Sequence, residues 1–151
     1  MATKKEIIDL FENFGVKPSL ETFSDRKSIQ KLVYLTEAIS NVDLGFTFTW
    51  HIYGPYSPGL TRVMFEKEKG TPIHLKENSN ELKKIRELKN FLGKDLESSD
   101  KLELIASLHY VLSVAKGKKS DNEALATFHK VKPQFSESEV NEYYKKIKPY
   151  V

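Results

Sequence analysis

Phe46-Thr47-Phe48-Thr49-Trp50-His51-Ile52-Tyr53-Gly54-Pro55-Tyr56-Ser57-Pro58-Gly59-Leu60 holds the only Trp of the chain, two of its Tyr and two Pro, each beside a Gly. Phe46, Phe48, Trp50 and Ile52 alternate with Thr47, Thr49, His51 and Tyr53, a period of two that predicts a strand over 46–52 with one apolar face. Gly54-Pro55 stops the strand. Ser57 before Pro58 reads as an N-cap followed by Pro at the first helical position, where a missing N–H costs nothing. The stretch is a strand, a rigid turn and a helix start. It contains no pair of groups poised for proton transfer or nucleophilic attack, so it points to architecture and recognition before catalysis.

Outward from this stretch the pattern is helical. Ile7, Ile8, Leu10, Phe11 and Phe14 share helical spacing within residues 3–14, and Gly15 is a C-cap signal. Ser24 or Asp25 can cap a second helix whose Ile29, Leu32, Val33 and Thr36 form one face, which Ile39 extends. A third helix is predicted from Pro58 to Lys69, ended by Gly70. Thr71 to Lys76 can supply a second strand that pairs with the first. Asn78 or Ser79 caps a helix with Leu82, Ile85, Leu88 and Leu92 spaced for burial and Gly93 at its close. Leu102 to Val114 is apolar enough for a central helix. Ser120-x-x-Glu123 and Ser136-x-x-Glu139 are capping-box patterns, with Lys132-Pro133 separating the two helices that follow them. The expectation is one mainly α domain over 1–151, of six or seven helices with a small two-stranded β element. Its first half allows a winged-helix-like arrangement.

Composition narrows the classes. A chain of 151 residues can bury an ordinary core unaided, and the absence of Cys excludes disulfides, thiolate chemistry and Cys-based metal sites. No apolar run approaches the roughly 18 residues of a membrane span, and Met1 to Lys5 lacks a signal-peptide layout, so a cytoplasmic protein without membrane contact is expected. Net charge is +3; residues 1–75 carry 9 Lys/Arg and 9 Asp/Glu, and residues 76–151 carry 15 and 12. Abundant Lys and Glu with no Cys leans toward a thermophilic source.

Arg26, Lys27 and Gln30-Lys31-Leu32-Val33-Tyr34-Leu35, followed by Trp50, Gly54-Pro55-Tyr56-Ser57-Pro58 and Leu60, resemble the prokaryotic YwgA-like family and the related Panacea domain. In the latter a helix reading K-L-x-Y precedes a turn with Trp ahead of Gly-Pro. Leu102 to Tyr110 and Lys132-Pro133-x-Phe135-Ser136 resemble later blocks of the YwgA-like group, so the similarity spans most of 25–145. The resemblance implies an antitoxin-like protein, because Panacea domains neutralise diverse toxins.

Most candidate residues admit two readings. Tyr34, Trp50, Tyr53 and Tyr56 can form a recognition surface, or sit in the core with polar tips. Arg26, Lys27, Gln30 and Lys31 lie within about one and a half helical turns. They can dock a phosphate or an acidic partner, or form a solvated face. For Arg26 a clamp on the carbonyls of the Gly-Pro turn is the first reading. His51, His74, His109 and His129 never fall at i, i+3 or i+4, which gives no zinc helix, and His109 reads as a hydrogen-bonded core residue. No G-x-S-x-G elbow or phosphate-binding Gly loop exists. Lys116, Lys118 and Lys119 form the basic loop best placed for a phosphate backbone.

The reading that follows is a non-enzymatic recognition or regulatory module that binds a protein partner, without cofactor or metal. Its site is Gln30, Tyr34, Tyr53, Gly54, Pro55, Tyr56 and Ser57. The alternative is a DNA-binding transcriptional regulator using Arg26, Lys27, Lys31, Lys116, Lys118 and Lys119. An enzyme with an unrecognised site ranks third.

Overall fold

A computed structural model describes residues 1–67 and 79–151. The chain is mainly helical, with seven α-helices and a two-stranded antiparallel sheet among the described residues. Helix α1 (Lys4–Phe14) ends on Gly15, whose φ of 74° closes the last turn in the left-handed region that Gly adopts without strain. Helix α2 (Phe23–Ala38) begins before Ser24 or Asp25 could cap it. Thr22 is the N-cap, and Asp25 is its capping-box partner at N3. A residue three positions into the helix can close the box, so Asp25 acts from inside the first turn. Ile29, Leu32, Val33 and Thr36 are buried as their spacing predicts.

The sheet is smaller and differently paired than the sequence suggests. Strand β1 (Thr49–His51) pairs with β2 (Gly54–Tyr56), with Trp50 opposite Pro55 and His51 opposite Gly54. Gly54-Pro55 therefore starts the returning strand instead of merely stopping the first. Pro55 is tolerated because a two-stranded ribbon has edges where a missing N–H breaks no ladder. Thr71 to Lys76, the other candidate for the partner strand, lies outside the described residues, as do Gly70, His74 and Asn78. The apolar alternation holds from buried Phe46 through half-buried Phe48 and Trp50, then fails at Ile52, which is 83% exposed at the hairpin tip.

Ser57 caps α3 (Pro58–Phe65) by accepting from Leu60 N–H, with Pro58 in the first turn as expected. The helix stops short of Lys69, because Glu66 already has extended backbone. Helix α4 (Ser79–Leu92) runs into a 3-10 turn at Gly93–Glu97. It is followed by α5 (Ser99–Ala115), α6 (Asp121–Val131) and α7 (Glu137–Ile147). The capping box of α6 is complete, Ser120 with Glu123, and Ser136 caps α7.

Helix α5 is the axis of the fold. It packs against α2, α6, α7 and β2, while α1 packs on α4. One cluster of buried apolar side chains joins these helices, from Ile7 and Phe14 through Leu35 and Leu108 to Phe128 and Ile147. Glu37 on α2 accepts from the backbone N–H groups of Leu44 at 3.0 Å and Phe46 at 3.1 Å, which fixes the path from α2 into the ribbon. No helix among the described residues is long and apolar enough to cross a membrane.

Candidate functional site

Beneath the ribbon, α2 and α5 meet across buried charge. Lys27, Lys31 and Lys132 are 8%, 2% and 1% exposed, and Glu103 is 3% exposed. Lys27 Nζ donates to Asp100 Oδ1 and Glu103 Oε1, each at 2.9 Å, and Lys132 Nζ donates to Glu103 Oε2 at 2.9 Å. Gln134 adds a longer bond to the same Oε2 at 3.3 Å. Charges this deep persist only when paired and hydrogen-bonded, and Glu103 meets that condition with both of its oxygens.

The amines also hold the ribbon. Lys31 Nζ donates to the carbonyl of Pro55 at 2.7 Å, and Lys132 Nζ donates to the carbonyl of Ile52 at 2.5 Å. Gln30 grips Ser57 just beyond β2, donating to its C=O and accepting from its N–H, both at 2.9 Å. Three side chains from two distant segments thus satisfy backbone groups that a two-stranded ribbon leaves unpaired.

Arg26 is a clamp, but on a different loop. Its Nη1 donates to the carbonyls of Leu20 at 2.8 Å and Glu21 at 3.4 Å. Helical side chains lean toward the N-terminus, so a guanidinium in the first turn reaches the residues before the helix and not the Gly-Pro turn.

Gly54 shows how closely the ribbon is pressed onto α5. Its φ is +95°, and a Cβ there would lie 2.1 Å from Ser107 Oγ. Only glycine fits, for reasons of both conformation and space. Ser107 Oγ itself is buried with no hydrogen-bond partner.

Above this frame lies a cavity of about 400 Å³ between α2, the ribbon and α3. Leu20, Phe23, Leu60, Met64 and Phe65 give it apolar walls, and Gln30 and Lys31 contribute polar ones. Phe23, Ile52, Tyr53 and Phe65 are 49%, 83%, 46% and 58% exposed. These are four of the eight large apolar side chains that are exposed among the described residues, and all four line this one cavity. Phe23 and Tyr53 pack edge to face across it, with ring centroids 4.7 Å apart. Tyr56 is half-buried and accepts from Thr61 Oγ1 at 2.9 Å.

The residues singled out from sequence therefore separate. Gln30, Tyr53, Gly54 and Tyr56 line the cavity, while Pro55 and Ser57 are buried and serve as anchors for Lys31 and Gln30. Tyr34 is elsewhere: it is 7% exposed, shares a shallower cleft with Phe48 and Tyr110, and its hydroxyl meets His109 Nδ1 at 2.8 Å. His109 is the hydrogen-bonded core residue its helix predicts, with Nε2 3.0 Å from the carbonyl of Tyr150. Lys27 and Lys31 do not form a solvated outer face of the helix, because both amines are engaged by ion-pair and carbonyl partners and both residues line the cavity. Lys116, Lys118 and Lys119 are exposed on the α5–α6 loop, where Lys116 donates to Val151 C=O at 3.2 Å.

Glu103 and Lys132 carry the centre of the site; both lie in stretches singled out from sequence, Leu102 to Tyr110 and Lys132-Pro133-x-Phe135-Ser136, but no chemical motif marks either as a site residue. A signal exists for Glu103: it is the only charge between Leu102 and Leu108, a stretch in which Ser107 is the one other polar residue, and an acid there needs a buried cation. Lys132 gives none, since Lys-Pro between two helices reads as a linker.

Burial sets the electrostatics of the amines in opposite directions. For Lys31 desolvation dominates and lowers its pKa to about 7, with Lys27 and Lys132 adding repulsion against the attraction of Glu103. Desolvation also works to lower Lys27, but its bonds to Asp100 and Glu103 outweigh it and hold that amine above the ordinary lysine value. His109 is lowered by desolvation against the bond to Tyr150, and burial raises the Tyr34 hydroxyl. No group of three or more His, Asp or Glu is arranged to hold a metal ion among the described residues. Comparison with protein-family models, curated proteins and solved structures returns no match to this chain.

Proposed function

We propose that this protein is a recognition module that works in the cytoplasm by receiving an apolar segment of a protein partner in the cavity between α2, the ribbon and α3. The observation that carries this reading is the gathering of Phe23, Ile52, Tyr53 and Phe65 around one concavity. Exposed apolar residues scattered singly need no explanation, whereas a contiguous set beside a cleft marks a place where something docks. The frame beneath it is held by hydrogen bonds from Lys31, Gln30 and Lys132, so docking orders little backbone and loses little entropy. The resemblance to YwgA-like and Panacea proteins suggests a toxin as the partner and a neutralising, antitoxin-like role.

The test is co-purification with the product of the neighbouring gene, repeated with Ile52→Asp and Phe65→Asp. Both side chains are exposed, so the variants should melt as the parent does and lose most of the partner. Full retention by both variants would remove the cavity from the binding surface.

A DNA-binding regulator is the second reading, supported by the exposure of Lys116, Lys118 and Lys119 on one loop. Changing all three to Gln should lower the slope of log affinity against log salt by up to about 3, near 0.9 for each phosphate that is no longer neutralised. No duplex binding by the parent at about 50 mM salt ends that reading.

A further inference from the structure

Three amines are buried under the ribbon, and the carboxylates around them serve two. Lys27 takes Asp100 and one oxygen of Glu103, and Lys132 takes the other oxygen. Lys31 has the carbonyl of Pro55 at 2.7 Å and, among the described residues, no carboxylate within ion-pair distance. The charged and titratable groups around the cavity and the cluster are Arg26 and Lys27 on α2, Asp100 and Glu103 on α5, Lys132 after α6, and His51, Tyr53 and Tyr56 on the ribbon. Both carboxylates among them are taken by the other two lysines, Asp100 by Lys27 and Glu103 by Lys27 and Lys132 together. A protonated Lys31 thus leaves one positive charge without a counter-ion in the wall of an apolar cavity, an arrangement that favours an incoming anion.

Resting on the reading that the cavity receives a partner segment, we infer that this segment carries a carboxylate among apolar residues and that the carboxylate pairs with Lys31. Its apolar neighbours meet Phe23, Met64 and Phe65, and the acid completes the charge balance of the cluster. An acidic side chain suits the site better than a free phosphate or a nucleic acid, because the exposed walls are mostly hydrocarbon and the nearest donors are already engaged, Arg26 by the Leu20 and Glu21 carbonyls, Lys27 by Asp100 and Glu103, and Gln30 by Ser57 and Thr61. Without a partner the Lys31 amine titrates at about 7. Pairing favours its charged form, so above neutrality docking takes up a proton. Affinity is then level below about pH 6 and falls toward tenfold per pH unit above about pH 7.

The test pans a phage-displayed library of random short peptides against the full chain at about pH 6, where linkage makes the amine cationic. Enriched peptides should carry one Asp or Glu flanked by apolar residues and lose binding to Phe65→Asp. The leading peptide, synthesised with its acid replaced by the matching amide, should bind at least tenfold more weakly. Its Kd for the unaltered protein should rise with pH between about 7 and about 9, and His51→Gln should leave that profile in place. Lys31→Met should bind the acid and amide peptides equally. The amide twin and the pH profile need no altered Lys31, so the inference stays open to refutation even if that variant does not fold. Enriched peptides that lack an acid, twins that bind alike, or a pH profile abolished by His51→Gln would overturn the carboxylate while leaving the apolar cavity in use. Binders indifferent to Phe65→Asp, or none at all, would overturn the cavity reading and the inference with it.

Discussion

Helix α5 supports two buried polar groups built on opposite principles. At Glu103 the core is ionic, with one carboxylate shared by Lys27 and Lys132. Near the other end His109 sits in an uncharged chain with Tyr34 and the carbonyl of Tyr150, since burial disfavours its protonated form. Both are satisfied, but breaking them differs. Removing one member of an ionic cluster strands charges that cannot leave the interior, whereas removing a neutral hydrogen bond strands at most a dipole. The ionic end lies under the cavity and the ribbon, and the neutral end ties down the C-terminal turn.

The largest effect should come from Glu103→Leu, which leaves Lys27 and Lys132 without their shared carboxylate. A loss of about 3–5 kcal/mol in urea unfolding is expected. A loss under about 1 kcal/mol would mean that the lysines escape to water and that the cluster is not a rigid floor.

Gly54→Ala should cost about 1–3 kcal/mol from backbone strain, plus the clash with Ser107 Oγ. Ser107→Ala should be neutral or slightly stabilising alone, because it deletes a buried hydroxyl that has no partner, and should restore part of the loss in the double variant. Simple additivity of the two changes would separate the ribbon from α5.

Lys31 sharpens the comparison through pH. Its folded pKa of about 7 lies below the unfolded lysine value, so between those values the unfolded chain binds more protons and stability rises with pH. Relative to Lys31→Met, the parent should gain up to about 1.4 kcal/mol per pH unit from about pH 7 to about 9. Lys27 works the other way, since its folded pKa is raised, but its contribution is lost only as pH climbs past the ordinary lysine value. Parallel melting curves for parent and variant across this window would show that Lys31 reaches solvent.

At the neutral end Tyr34→Phe should cost only about 1 kcal/mol, the worth of one hydrogen bond. His109 has a lowered folded pKa, so its contribution is present above the unfolded value and fades as pH falls through it. A destabilisation by Tyr34→Phe as large as that of Glu103→Leu would erase the distinction between the two ends.

Helices are legible in the sequence wherever caps and spacing agree. Gly15, Ser57-Pro58, Ser120 with Glu123, and Ser136 all act as their residue types dictate. The ribbon is half legible: alternation finds β1, but Gly-Pro looks like a stop and directs the search for its partner downstream of α3. Pairing across Ile52-Tyr53 depends on the tertiary hold of Lys31 and Lys132 on the ribbon carbonyls, which no local pattern encodes. For the same reason the aromatic pattern places Tyr53 and Tyr56 at the site, whereas helical spacing sets Lys31 on the wrong side of the surface. An amine four methylenes long can turn inward or outward from the same helical position, and what decides is an acid 76 residues away on the chain from Lys27.

The bond from Lys132 to the carbonyl of Ile52 joins groups 80 residues apart. Helices α1 to α3 can form from local contacts, but closing so long a loop waits until its far end exists and has docked. During synthesis, which proceeds from the N-terminus, the aromatic wall made by residues 20–65 is complete as sequence long before it is locked as a shape. The nascent chain therefore acquires its final contour at the ribbon only once α6 has emerged and Lys132 has found its carbonyl, which couples the readiness of that wall to the integrity of the chain beyond it.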